Sequence, residues 1–245
     1  MPRVHEILIR KLREHSRLSA EDIAEIRAFS YSVRTLLPNE DFIRQGDVPE
    51  VCAVVVSGVV ARYHLRRNGG RQYLSFHMAG DMPDAQALFL DRMDHAVSAI
   101  GQATVAAIPH SEVERAFEQR PSVGFAIWRE TLVDAAIFRE AITNNSARSI
   151  TVRMAHFFCE IFYRARATNL VDGDTFEFPI SLRQLGETLG FAIASINRSL
   201  QELRNMRVLE FRNGQIQIKN WSKLKEFGEF DPAYLHLRKP PIAAK

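Results

Sequence analysis

The chain has 245 residues, 46% of them hydrophobic and 25% charged, with a net charge of +3, which is the composition of a globular protein long enough for two domains with separate cores. No apolar run approaches the ~20 residues that span a bilayer, the N-terminus MPRVHEILIRKLREH lacks the apolar core of a secretory signal, and Cys52 and Cys159 are too few for a disulfide framework or a four-thiolate cluster. The expectation is a cytoplasmic protein with no membrane partner and no metal site. Charge is unevenly spread, −1 over residues 1–150 and +4 over residues 151–245, so the basic excess lies where phosphate neutralisation would use it.

Residues from Val4 to about Ser32 read as helical, with Leu8, Leu12 and Leu18 followed by Ser19-Ala-Glu-Asp22, a helix start with acids in its first turn. From Tyr31 to Ile108 the texture changes to short apolar runs, Val51–Val56, Val59–Tyr63, Gln72–Phe76 and Ala103–Ile108. Runs of this length predict an antiparallel sandwich or barrel, with Gly46, Gly58, Gly69, Gly70 and Gly80 at its turns. Ser111 is the expected cap of a short helix to Phe117, and Pro121 opens a longer one of about twenty residues. Its apolar positions Phe125, Trp128, Leu132, Ala135 and Ile142 recur at helical spacing, while Ile127, Phe138 and Ala141 add apolar surface elsewhere on the cylinder. A helix apolar on more than one side needs more than one partner. Either one face meets the β-domain and the other a second subunit, or the helix is buried within one subunit. Asn144-Asn145-Ser146 reads as the hinge that follows.

Ile150–Arg164 is a further amphipathic helix, and Thr175–Pro179 a short strand after a polar loop. Then comes ISLRQLGETLGFAIASINRSLQELR, Ile180 to Arg204. Ser181 is placed as an N-cap, Leu182, Leu185 and Leu189 follow at helical spacing, and Gly190 ends the helix in a left-handed residue. A second helix carries Ile193, Ile196, Leu200 and Leu203 on one face. Gly186, costly inside a helix, fits a close crossing of the two. Val208–Phe211 and Gln215–Ile218 flank Arg212-Asn213-Gly214, a strong hairpin signal. Two helices followed by a β-hairpin make a winged helix-turn-helix, although a plain helical hairpin packed in a core is open as an alternative. Trp221, Leu224 and Phe227 form a last helical turn, and the tail from Arg238 is expected to be disordered.

Ile43-Arg-Gln-Gly-Asp47, Val56-Ser-Gly-Val-Val60 and Ala79-Gly-Asp81, followed by Ile180-Ser-Leu-Arg-Gln-Leu-Gly186 and Ser195-Ile-Asn-Arg198, keep an order and spacing from about Phe29 to Phe227 that resembles the Crp/Fnr family of bacterial transcription regulators. The resemblance implies an α+β fold. Residues 1–120 would form an antiparallel β-roll (a jelly-roll-like double-stranded β-helix) with flanking helices, and residues 121–145 a long dimerisation helix and hinge. Residues 146–230 would form the winged helix-turn-helix, and 231–245 a tail. It also implies a homodimer on palindromic double-stranded DNA, with RNA polymerase as a further partner and an effector sensed at the β-roll.

Departures from the family pattern narrow the effector. Cyclic-nucleotide-binding relatives carry a Gly-Glu pair whose Glu holds the ribose and an Arg that pairs with the cyclic phosphate. Asp84 with Ala85, and His95, stand at those positions. Loss of the fixed guanidinium removes charge-assisted bonds such a ligand needs, which argues against cyclic AMP. The first 51 residues hold no cysteine, which argues against the iron–sulfur centre of the oxygen-sensing branch. His64 and His77 are read as surface or core histidines in preference to haem ligands, and no cofactor is expected. Among the DNA-binding candidates, Arg198 matches the family's arginine and is suited to guanine or phosphate, Asn197 to adenine, and Ala194, in place of the family's glutamate, to a thymine methyl. Ser195 adds a polar group to the same helix. Ser181, Arg183 and Arg212 are expected on phosphates. The alternative is a β-roll sensor or interaction module that does not bind DNA. No phosphate loop, metal motif or nucleophile elbow points to an enzyme.

Overall fold

The computed structural model describes residues 4–239 and Pro241. Helices α1 (Val4–His15) and α2 (Ala20–Arg27) precede strands β1 (Ser32–Leu36), β2 (Asp41–Ile43), β3 (Val51–Ser57), β4 (Val60–Leu65), β5 (Arg71–His77), β6 (Ala96–Ala99) and β7 (Ala103–Pro109), with a 3-10 helix at Ala85–Phe89. Helices α3 (His110–Gln119), α4 (Pro121–Ala147) and α5 (Ile150–Ala167) follow. Strand β8 (Thr175–Glu177), helices α6 (Leu182–Leu189) and α7 (Ile193–Asn205), strands β9 (Leu209–Arg212) and β10 (Gln215–Ile218), helix α8 (Trp221–Phe227) and a 3-10 turn at Pro232–Leu235 complete the chain. Packing separates two compact units that divide after Ala135, with Gly70–Tyr73 counted in the second.

The first unit is an antiparallel β-roll of two sheets, ordered β1-β7-β3 and β2-β6-β4-β5. Period-2 alternation sorts its side chains into two cores. Val55 of β3 and Ala103 and Val105 of β7 point into the roll with Leu36, Val60 and Val97. Cys52 and Val54, with Ala106 and Ile108, point outward against Leu8, Leu12, Ile26, Val113 and Val123 of the helices. Gly58 is required at its turn, because its φ is +77° and a Cβ would come within 2.4 Å of the Gln102 carbonyl. Strand β1 carries no apolar run of its own: it is exposed at four of its five residues and holds its place by pairing with β7. Helix α3 starts one residue before the expected cap, with Pro109 at the N-cap position and no side-chain cap bond. Ser111 is exposed inside its first turn.

Helix α4 is longer than expected, 27 residues. It runs through Asn144, Asn145 and Ser146, so these do not break the chain. Their side chains are absorbed without a break: the Asn144 amide donates to the Arg153 carbonyl at 3.2 Å, and the Ser146 hydroxyl donates to the Ile142 carbonyl at 2.8 Å. The break falls instead at Arg148-Ser149. Val123, Ala126, Ile127, Val133, Ala136 and Ile137 are buried along α4, whereas Phe125, Trp128, Leu132 and Ile142 are exposed. The two faces expected of this helix are both present.

In the second unit α5, α6 and α7 pack around Met154, Phe158, Ile161, Phe162, Leu185, Ile196 and Leu203, all nearly inaccessible to solvent. The three-stranded sheet β8-β10-β9 completes the winged helix-turn-helix. Asp231–Leu235, expected in the tail, instead forms a 3-10 turn with Leu235 buried. Of the expected disordered tail, Pro240 and residues 242–245 lie outside the described residues.

Candidate nucleic-acid interface and buried charge cluster

Ser181 begins the helix-turn-helix with a full capping box. Its Oγ accepts from the Gln184 N–H at 3.2 Å, while Gln184 Oε1 accepts from the Ser181 N–H at 2.9 Å. Gly190 closes α6 at φ +78°. Gly186 is needed for a different reason from the helix crossing anticipated. A Cβ there would sit 2.5 Å from the carbonyl of Phe191 in the turn, while Ile196 of α7 lies at an ordinary 3.9 Å. From α5, Arg153 donates to the Leu189 carbonyl at 3.1 Å and lies over the Phe191 ring, so the turn is pinned from behind. In the wing, Arg212 pairs with Gln215 across Asn213 (φ +52°) and Gly214 (φ +73°), the two-residue turn whose positive φ values suit twisted strands.

Helix α7 buries Ile196, Ser199, Leu200 and Leu203. Ile193 was expected on that apolar face but is 46% exposed, with no neighbour covering it. It lies with Ala194, Asn197 and Arg198, all exposed, on one side of the helix. Among the described residues, Asn197 and Arg198 have no intramolecular hydrogen bond or ion pair, so their donors are available to a ligand. Ser195 is half-buried. Arg183 and Arg212 are exposed and lightly held by Glu187 and Glu210, at 3.1 and 3.0 Å. The result is a protruding helix face of two apolar and two polar residues, with an exposed arginine on α6 and another on the wing. An amphipathic pattern alone does not reveal Ile193, since an isoleucine at helical spacing reads as core.

Of the β-roll candidates, His95 belongs to a chain of polar groups centred on Arg62 of β4, which the sequence did not single out, and Asp84 is buried close enough to feel the Arg62 charge. Arg62 is 3% exposed. Its Nε donates to the Pro83 carbonyl at 2.6 Å, one terminal nitrogen pairs with Asp134 of α4, and the other donates to Gln86 Oε1 at 3.3 Å. The Gln86 amide in turn faces His95 Nε2 at 3.5 Å, and His95 Nδ1–H donates to Asp94 at 2.6 Å. Burial, with Arg62 nearby, holds the His95 pKa below its ordinary value. Asp84 is wholly buried, accepts from the Ala53 N–H at 2.7 Å, and has no partner for Oδ2. Burial pushes its pKa up to about 7 against the lowering effect of the Ala53 bond and of Arg62. Ala85 packs in the helix-side core and does not share this cluster. The signal in the sequence was an arginine inside the apolar run Val59–Tyr63.

Cys52 and Cys159 are inaccessible, and burial pushes both thiols up, opposite to what thiolate ligation requires. His77 is buried beside Ser75 at 2.9 Å, and His64 is exposed. Among the described residues no group of three or more His, Cys, Asp or Glu is arranged to hold a metal ion, and no helix is long and apolar enough to cross a membrane.

Residues 33–120 match the cyclic nucleotide-binding domain family, and residues 152–227 the Crp-like helix-turn-helix domain family. The nitrogen fixation regulation protein FixK of Bradyrhizobium diazoefficiens is 24% identical over 210 residues, covering 84% of this chain and 87% of that protein. The fumarate and nitrate reduction regulatory protein of Vibrio cholerae is 22% identical over 187 residues, covering 76% and 74%. The solved structure of FixK2 from Bradyrhizobium japonicum superposes with a TM-score of 0.72 at 24% identity, covering 81% of this chain and 97% of that one. The c-di-GMP responsive regulator CLP of Xanthomonas campestris gives 0.63 at 17% identity, covering 82% and 99%.

Proposed function

We propose that this chain, a member of the Crp/Fnr family of transcription regulators, acts as a homodimer that reads a palindromic DNA site with α7 and answers at its β-roll to a signal other than cyclic AMP. The observation that carries the reading is the unengaged face of α7. Arg198 is suited to guanine O6 and N7, or to phosphate, and Asn197 to adenine. Ile193 and Ala194 present apolar groups of the kind that meet a thymine methyl. Ser195 stands beside them, and Ser181, Arg183 and Arg212 are placed for phosphates, which fix register without reading sequence. RNA polymerase is the further partner the reading implies, and the cytoplasm its place of action.

The β-roll residues support a signal other than a cyclic nucleotide. A cyclic phosphate calls for a cation free to pair with it, and the Arg62 charge is already paired with Asp134, while its Nε and other terminal nitrogen donate to the Pro83 carbonyl and Gln86. A ribose hydroxyl calls for an acceptor it can reach, and Asp84 is wholly buried. The buried thiols likewise support a regulator without an iron–sulfur cluster.

The test is selection from random duplex DNA with the purified full chain, no effector added, across salt concentrations. The expected result is a palindrome with half-sites about one helical turn apart, bound with an affinity that falls steeply with salt as counterions are released. Binding that ignores both sequence and salt would sink the reading. A rise in melting temperature that saturates with cyclic AMP would overturn the effector half of it.

A further inference from the structure

The helix-turn-helix match ends at Phe227, yet the next eight residues are built into the domain. Phe230 and Leu235 are 3% and 1% exposed. At Gly228 a Cβ would stand 2.9 Å from the His156 N and 3.0 Å from the Ala155 carbonyl carbon, so this strap lies directly on the backbone of α5. The Tyr234 ring stacks on His156 at 6.2 Å, and its hydroxyl donates to Glu160 Oε2 at 2.8 Å.

The strap also holds the joint between α4 and α5. Arg148 is one of only two residues between those helices. Its guanidinium reaches Glu140 of α4 at 2.8 Å, Asn144 Oδ1 at 3.3 Å and Glu229 of the strap at 3.1 Å. His156 Nδ1–H donates to the Gly228 carbonyl at 3.0 Å, with Nε2 3.4 Å from the same Glu140 carboxylate. Arg153 carries the arrangement onward, donating to the Arg148 carbonyl at 3.2 Å and to the Leu189 carbonyl in the helix-turn-helix at 3.1 Å. Glu229 itself has φ +49°, a left-handed conformation that glycine would adopt with less strain. A charged residue kept in that conformation indicates a use for its side chain, and the side chain meets Arg148.

We propose that residues 228–235 clamp the α4–α5 joint, with Glu229 and Tyr234 as positioning residues, and so set which separation of half-sites the dimer accepts. The inference rests on the reading of the chain as a dimer that binds a palindrome. In such a dimer, joined through α4, the separation of the two recognition helices is transmitted through Arg148-Ser149. One added base pair turns a half-site by about 35° on a duplex with 10–10.5 base pairs per turn, so only a stiff joint rejects it.

The experiment compares the full chain with its Glu229→Gln and Tyr234→Phe variants. Backbone amide exchange over residues 142–150, without DNA, reads the clamp itself. Binding to the selected palindrome, to versions lengthened or shortened by one central base pair, and to a single half-site reads its use. Glu229 is 64% exposed at its side chain, and Arg148 keeps Glu140 when it is lost, so Glu229→Gln is expected to fold. The expected result is faster exchange at the joint, unchanged half-site binding, and a preference for the native spacing that falls several-fold. Equal exchange in all three proteins overturns the clamp. Faster exchange with the spacing preference intact, or with half-site binding lost in parallel, overturns its role in spacing and leaves the strap as core filling. If the unaltered chain binds no duplex, the dimer-on-DNA reading fails and takes the spacing role with it, while the exchange data still decide the clamp.

Discussion

Two side chains carry opposite lessons about exposure and charge. Arg198 is exposed and has no intramolecular partner, so its removal leaves no buried group unsatisfied. Arg198→Ala should therefore leave melting unchanged while weakening specific binding by roughly 1–3 kcal/mol and relaxing selection at one base pair of each half-site. Unchanged affinity in a titration on the selected site would remove Arg198 from the readout. Asp84 is the reverse case, a carboxyl with one oxygen bonded to the Ala53 N–H and the other without a partner in the β-roll. Its pKa rises from about 3.9 in an unfolded chain to about 7 in the fold. The folded state thus binds the proton more tightly, so the stability this group contributes is full below pH ~4 and is lost as pH rises to ~7. Asp84→Asn retains an acceptor for Ala53 and cannot ionise. Urea unfolding of the full chain at pH 5 and pH 8 should show this loss, and the variant should lack most of it, a difference on the order of 1–3 kcal/mol. Equal pH dependence in both proteins would show that Asp84 is not titrating there.

At the level of elements, the turn between α6 and α7 depends on one absent side chain. Gly186→Ala improves helix propensity by roughly 1 kcal/mol, but its Cβ would stand 2.5 Å from the Phe191 carbonyl oxygen, a backbone atom fixed by the turn. The clash should dominate, since overpacking costs about 1–3 kcal/mol. The variant is expected to melt lower and to bind DNA less well, and a variant that melts higher would show that the turn can yield. The elements most legible in the sequence were those whose signals are local. The Ser181 N-cap, the left-handed Gly190 and the Asn213-Gly214 hairpin each lie within a few residues of the structure they specify, and all three form as expected. What escaped depends on distant partners. Arg62 meets Asp134 across 72 positions, and β1 is a strand because β7 pairs with it. The last turn of α4 takes in Asn144 and Ser146, whose side chains bond to the Arg153 and Ile142 carbonyls, which their polar character concealed. Ile193 was misplaced because periodicity identifies an apolar residue without showing whether a neighbour covers it.

Among the described residues, several large apolar side chains of α4 are left uncovered in a single copy. Phe125, Trp128, Leu132 and Ile142 of α4 are 65%, 43%, 52% and 69% exposed, and Phe89, 54% exposed, sets its ring edge-on to Trp128 at 5.4 Å. An exposed apolar cluster such as Phe89, Phe125, Trp128 and Leu132 marks an association surface, and a second copy of the chain is the partner that the proposed homodimer supplies. A self-complementary interface about a two-fold axis brings the same residue of both chains near the axis, so one substitution acts twice. Leu132→Glu would place two carboxylates in an apolar contact. Because Leu132 is half exposed in the single copy, the change should leave each protomer folded, with a circular dichroism melt close to that of the parent. Self-association should weaken by at least 2 kcal/mol, the loss typical of a central interface residue. Sedimentation would then show a dimer for the parent at micromolar concentration and a monomer for the variant, and a palindrome would be bound no better than a single half-site. A parent that sediments as a monomer would instead leave the exposed face of α4 without its partner, and the palindromic operator with it. A variant that stays dimeric would place the two-fold axis elsewhere along the helix, toward Phe125 or Ile142, where the same substitution can be repeated.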